Sequence, residues 1–386
     1  MFIKRLRLKK LLSFNDTEVE LRQLNVLIGP NAVGKSNLIE AVSLLQAAPI
    51  APANLTRTLL QGGGIRQWLW LGGPVPSPIA TVECDLSREQ PDGPIAYKLE
   101  FSEDAQGFVI LSEQLARAVP PAGPFEPAVY FTRQVSQGTV SGAEITYLSR
   151  SESVLSLFKS PADTTPITAV GRHFEQIRIF REFRTTGPSS QARYGISTSV
   201  PKDALMDGGD NLALVLHEMD FLGVRGRLLG DLRRFCERFE DVKTRVGAGI
   251  AQIFLKETGL IENLSAIRMS DGTLKFLCLL AVLFDPKPPP LICIEEPEVG
   301  LHPDALQLVA EALVEASETV QLIVTTHSEA LVDALSGQPE SVLVCERDFD
   351  NGTQFKRLDK DQLHEWLEHY TLGELWRKGE IGGGRW

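Results

Sequence analysis

A chain of 386 residues, 43% hydrophobic and 23% charged, has the make-up of a soluble globular protein with room for one large domain or two of moderate size. Its five cysteines (Cys84, Cys236, Cys278, Cys293, Cys345) are scattered and never form a CxxC pair, which excludes a disulfide framework, suggests no zinc site and predicts reduced thiols in or near the core. A net charge of −11 excludes a surface that coats nucleic acid indiscriminately, and no stretch approaches the roughly 20 apolar residues of a membrane span.

The basic start MFIKRLRLKK turns polar at once in LLSFNDTEVE, without the apolar core of a secretion signal, so a cytoplasmic location is expected. Phe2 to Leu8 alternates apolar and basic residues as a strand does, with Thr17 to Leu21 as its antiparallel partner. Leu24 to Ile28 reads as a buried strand ending in a Gly-rich turn. Ser36 to Ala48 follows as a helix, with Leu38, Ala41, Val42 and Leu45 on one face. Residues 50–78, rich in Gly and Pro, predict irregular surface structure. Strands over 80–86, 96–101, 108–111 and 128–132 predict an antiparallel sheet. Residues 159–209 are mixed and polar. A helical region is expected from Asn211 to about Val246, interrupted near Gly223 and Gly226, with no heptad repeat.

From Gln252 to Lys256 the pattern is a strand, and from Gly272 to Leu283 an apolar helix. A strand at Leu291 to Ile294, a helix at Pro303 to Ala316 and a strand at Gln321 to Thr325 follow, an alternation that predicts a largely parallel sheet. Val342 to Cys345 and Gln354 to Leu358 bracket the hairpin turn Asp350-Asn351-Gly352. The chain is therefore read in three parts: residues 1–110, 111–249 as an insertion, and 250–386.

Gly29-Pro30-Asn31-Ala32-Val33-Gly34-Lys35-Ser36 matches the phosphate-binding pattern GxxxxGK[ST]. Its glycines let successive backbone N–H groups converge on phosphate oxygens at a helix N-terminus. Lys35 would reach the β- and γ-phosphates and Ser36 would ligate Mg²⁺. The alternative is a strand–helix turn matching by accident. Leu291-Ile-Cys-Ile-Glu295-Glu296-Pro-Glu298 ends an apolar strand in carboxylates. Glu295 would hold Mg²⁺ and Glu296 would polarise the attacking water, unless the pair merely caps the next helix. Met269-Ser270-Asp271-Gly272-Thr273 opens a helix, where Ser270 and Gly272 could meet an anion; alone, this pentapeptide is better read as an ordinary N-cap. His327, in Val324-Thr-Thr-His-Ser328, could contact a γ-phosphate or be a hydrogen-bonded histidine at a strand end.

The order GPNAVGKSN, MSDGT, IEEPEVGLHP, TTHS resembles the ABC-type ATPase heads shared by RecF-like, SMC-like and OLD-like ATPases, and most of all bacterial ABC-like ATPases of the AAA family. The resemblance covers roughly residues 1–50 and 250–345, with the tail LGELWRKGEIGG. It implies an α/β ABC-type P-loop NTPase head with an antiparallel β subdomain and a helical insertion. It implies ATP and Mg²⁺ held by Gly29, Pro30, Asn31, Gly34, Lys35, Ser36 and Asn37, with Lys35, Glu296 and His327 catalytic and His327 the switch histidine. It also implies a homodimer sandwiching two ATP molecules, in which Ser270 and Gly272 of one copy close on nucleotide held by the other and Val299 to His302 cross the interface. Two features depart from the pattern: Glu295 replaces the usual Asp, and the signature reads SDG. A Q-loop glutamine is not assignable among Gln61, Gln67 and Gln134.

Such heads usually act on DNA, in repair or anti-phage defence, and a separately encoded effector, nuclease or toxin, is expected by analogy. A non-hydrolytic ATP-binding scaffold and a transporter motor are the competing readings. Asp348-Phe-Asp350 is read as a hairpin turn rather than a metal-binding DxD, and Arg172, Arg178, Arg181, Arg184 and Arg193 as a solvated face rather than a nucleic-acid groove.

Overall fold

In the first strand, Phe2–Leu11 (β1), Leu6 and Leu8 are buried at the period-two spacing of a strand while Ile3 is out of step. A bulge between Ile3 and Arg5, where β1 pairs with Ile79–Ser87, absorbs the extra residue and turns both apolar sets inward. The computed structural model describes residues 2–72, 79–87, 93–118, 128–158 and 165–383. The chain forms two compact units: Met1–Ile177 with Glu340–Leu358 and Ile381–Trp386, and Arg178–Pro339 with Asp359–Glu380. Their boundary differs from the three-part reading, since one strand, Gly107–Arg117, runs across residue 110 and the 111–249 segment is shared between the units.

In the first unit β1 is followed by β2 (Phe14–Glu20), β3 (Leu24–Ile28) and helix α1 (Lys35–Ala47). Then come α2 (Asn54–Gln61), α3 (Ile65–Trp68) and β4 to β9 (Ile79–Ser87, Ile95–Asp104, Gly107–Arg117, Val129–Gln134, Gln137–Val140, Ala143–Thr146). β1 and β2 pair antiparallel, with Leu8 opposite Thr17, and β4 to β9 extend the sheet as a meander. β3 is buried along its whole length and pairs in parallel with Val342–Asp348, which turns into Gly352–Arg357 as the expected hairpin. The antiparallel subdomain is thus present and larger than expected by β8 and β9. The irregular reading of 50–78 is corrected by α2 and α3, while its residues 73–78 lie outside the described ones.

The second unit has a parallel set, β10 (Arg178–Phe180), β15 (Leu291–Glu295) and β16 (Gln321–Thr325), in the order β10-β15-β16. It has a smaller antiparallel set, β11 (Ile196–Ser197), β12 (Phe239–Gly247), β13 (Ile250–Glu257) and β14 (Leu264–Ser265). β15 and β16 are near-continuous buried apolar runs, as strands covered on both faces require. The helical expectation for 211–246 holds for Leu212–Phe221 and Arg225–Phe235, which break at Gly223 with φ +80°. It fails for 239–247. There Val242, Thr244 and Val246 alternate along β12, and Ala248-Gly249, both at positive φ, close a two-residue hairpin onto β13.

Candidate active site

In the first unit the turn after β3 takes positive φ at Gly29 (145°), Ala32 (63°) and Gly34 (107°). A side chain on Gly29 would press on the Cys345 carbonyl, and one on Gly34 on the hydroxyls of Ser13 and Thr353, so both conformation and space demand glycine. Helix α1 starts at Lys35 with no side-chain cap and no acidic residue in its first turn. Its leading N–H groups and positive dipole end are therefore presented to an anion. Lys35 is buried and Nζ donates to the carbonyls of Gly29 (2.7 Å) and Pro30 (2.9 Å), while Asn31 and Ser36 are exposed. Asn37 donates through Nδ2 to Ser13 Oγ at 2.8 Å. Thr353 Oγ1 meets Ser13 Oγ at 2.7 Å and donates to the Val33 carbonyl, so the residue just after the Asn351-Gly352 turn holds the loop from behind.

The second unit gathers Glu295, Glu296, Glu298 and His327. Glu296, at φ +46°, is a strained position for a non-glycine residue at which β15 breaks, and its N–H donates to the Thr325 carbonyl at 2.9 Å. Each of the three carboxylates faces its own partner. Arg181 Nε lies 3.3 Å from Glu295 Oε1, and His327 Nε2 lies 3.7 Å from Glu296 Oε1. Glu298 Oε1 accepts from Thr326 Oγ1 and from the His327 N–H, both at 2.7 Å. Burial pushes the Glu298 carboxyl above its ordinary range, against the pull of those two donors, and the Glu296 charge adds to the rise. Its Oε2 is buried with no hydrogen-bond partner among the described residues.

Ser270 is exposed and caps the helix Asp271–Leu283, accepting from the Thr273 N–H at 3.1 Å. Arg193 underpins the segment before it: Nη1 donates to the carbonyls of Ala266 (3.1 Å), Ile267 (3.1 Å) and Met269 (2.8 Å), and Nη2 pairs with Asp271. A side chain on Gly272 would stand 2.9 Å from the Gly300 carbonyl, and Lys275 Nζ donates to the Val299 carbonyl at 3.1 Å, so 270–275 and 299–300 pack together.

The remaining expectations resolve simply. Asp348 Oδ1 accepts from the N–H groups of Asp350 (2.9 Å) and Asn351, a turn and not a metal pair. Arg181 and Arg184, 49% and 62% exposed, each face a carboxylate as solvated ion pairs do, whereas Arg193, 12% exposed, departs from the solvated-face reading. Gln61 ends α2, Gln67 lies in α3 and Gln134 ends β7. Among the described residues no group of three or more His, Cys, Asp or Glu could hold a metal by itself. Within the first unit, the uncapped helix end, the loop glycines, Lys35 and the exposed Ser36 fit a phosphate group. Sequence reasoning missed Glu298, Ser13 and Thr353, and saw Arg181 and Arg193 only as members of an arginine run. Glu298 stands in the quoted carboxylate motif, so its position was a usable signal; the others carried none.

A model of the family described as "AAA domain, putative AbiEii toxin, Type IV TA system" matches residues 24–333. Over 76 residues, 19% of the chain, the sequence is 37% identical to the Old nuclease of Escherichia phage P2, and the match spans only 12% of that protein. The Smc head bound to the C-winged helix domain of ScpA resembles this chain with a TM-score of 0.58 at 14% identity, over 94% of this chain and 99% of that one. An Smc head with an extended coiled coil, bound to the C-terminal domain of ScpA and derived from Pyrococcus furiosus, gives 0.58 at 12% identity over 95% and 98%. The fold is accordingly an SMC-head-like α/β fold, the ABC-type P-loop architecture expected from the motifs. No helix among the described residues is long and apolar enough to cross a membrane.

Proposed function

The chain belongs to that AAA-domain family, and from this premise we propose that it is an ATP-hydrolysing switch whose heads close in pairs on bound nucleotide. Lys35 and the loop amides of 29–36 bind the phosphates, and Ser36 and Glu295 hold Mg²⁺, which neutralises phosphate charge when bound. Glu296 accepts the proton of the attacking water. His327, beside it, reports whether a γ-phosphate is present. Ser270 and Gly272 of one copy complete the site of the other, a role favoured by the exposure of Ser270. ATP that contacts both copies only when they are closed shifts the equilibrium toward the dimer. The effector is a separately encoded nuclease or toxin, with DNA as a possible stimulus, in phage defence or repair. The family's description and the Old nuclease segment support that assignment.

The observation that carries the hydrolytic reading is Glu296. A strained backbone turns a second carboxylate toward His327, and binding alone requires no such group. The test is ATP turnover by the purified chain, with and without duplex DNA. Glu296→Gln should lower turnover by about 10²–10⁴-fold while leaving ATP bound, the range expected on losing a general base. Turnover unchanged in Glu296→Gln would leave the non-hydrolytic scaffold as the reading.

A further inference from the structure

Along the strand Val342–Asp348 the period of two puts Cys345 and Arg347 on one face and Glu346 and Asp348 on the other. The face of Arg347 is the one that meets the phosphate loop. Arg347 lies in register with Thr353, whose hydroxyl donates to the Val33 carbonyl, and Arg347 Nη1 itself donates to the Ala32 carbonyl at 3.4 Å. Loop and strand both belong to the first unit. Together they wall a cavity of about 380 Å³, within the range of small-molecule sites, with Pro30, Val33, Cys345 and Arg347 in its lining.

The charge of Arg347 is not spent elsewhere. Its side chain is exposed, and among the described residues no carboxylate stands within ion-pair distance of it. The acidic neighbours along the chain, which also border the cavity, are engaged with backbone donors. Glu346 Oε1 accepts from the Gly383 N–H at 3.0 Å, and Asp348 Oδ1 accepts from the N–H groups of Asp350 (2.9 Å) and Asn351. A guanidinium carries five N–H donors in a fork that matches phosphate oxygens, and the long bond to Ala32 engages one of them.

We propose that Arg347 is a phosphate-binding residue of the nucleotide site, adding a second cation to that of Lys35. This rests on the reading of residues 29–36 as the nucleotide loop. The contribution is electrostatic, so it needs a positive charge at this position and weakens as salt screens it. Holding the Ala32 carbonyl, by contrast, needs only a hydrogen-bond donor.

The test is calorimetric titration of the full chain with the β,γ-imido analogue of ATP, which is not consumed, in Mg²⁺ at low ionic strength and again at about 1 M salt. Arg347→Ala and Arg347→Gln should each weaken binding about tenfold at low ionic strength, equivalent to about 1.4 kcal/mol, and less than about threefold at high salt. Arg347→Lys should stay near the parent. Parent-like binding by Arg347→Gln would mean that the side chain only holds the loop, and parent-like binding by Arg347→Ala that it has no part in binding. Either result overturns the proposal, as does a loss that salt leaves undiminished or a Lys variant as weak as Ala, while the nucleotide reading stands. Failure of the parent to bind the analogue in either condition overturns both.

Discussion

Glu298 holds two donors of the loop that carries His327, the Thr326 hydroxyl and the His327 N–H. Its removal in Glu298→Ala leaves both without that acceptor, at a cost of about 1–3 kcal/mol for a buried unsatisfied group. The imidazole then loses its fixed place beside Glu296. Turnover should fall about tenfold or more, and Glu298→Gln, whose amide oxygen can accept both bonds, should recover most of it; equal rates for Ala and Gln would rule out this role. A second residue-scale prediction concerns His173, buried on the helix Pro166–Glu175, where burial pulls its pKa down to about 4. A depressed folded pKa means that the neutral form is favoured in the native state, so its stability contribution is present above about pH 6.5 and lost as pH falls toward 4. At 1.36 kcal/mol per unit the loss approaches about 3 kcal/mol. Urea unfolding near pH 7 and pH 5 should show a smaller acid-side drop in His173→Leu than in the parent.

At the scale of elements, the loop before α1 is shaped by parts remote in sequence. The Asp348–Gly352 turn, legible from Asp-Asn-Gly, proves to carry the residue that backs the loop, since Thr353 follows it directly. Thr353→Val keeps the volume and removes the hydroxyl that the Val33 carbonyl accepts from. A lost bond of about 1 kcal/mol should weaken ATP binding roughly fivefold, measurable by titration, with little change in fold by circular dichroism. Arg193 plays the corresponding part for the segment leading to Ser270. Arg193→Ala should speed amide hydrogen exchange across 264–270 while leaving β16 protected; unchanged exchange there would show that the three carbonyl contacts do not order the segment. The misread stretch is equally instructive. The periodic apolar positions of 212–235 were helical, but β12 was masked because its alternation spans few residues and its pairing with β13 decides the matter.

For the whole molecule, the phosphate loop lies in one compact unit and the carboxylates, His327 and Ser270 in the other. The family match from 24 to 333 takes in both. If heads close in pairs, Glu296→Gln with Mg²⁺–ATP should shift light-scattering mass from 42.5 kDa toward twice that value, and Ser270→Arg should keep it at the monomer. A mass indifferent to ATP would sink the paired-head reading.

The sequence alone determined what depends on neighbours along the chain: the glycines that the loop conformation requires, the apolar runs of β3, β15 and β16, the hairpin turn, and the order of the motifs. Each is a short-range consequence of φ preference, side-chain period or turn chemistry. Tertiary structure alone decided which distant groups meet. Arg181 reaches Glu295 because β10 lies beside β15, Glu298 reaches Thr326 and His327 because β16 lies on its other side, and Thr353 reaches Val33 through the returning hairpin. Strand order is a choice among arrangements with the same local periodicity, settled by packing and hydrogen bonding across the fold, so no stretch of sequence read by itself contains it.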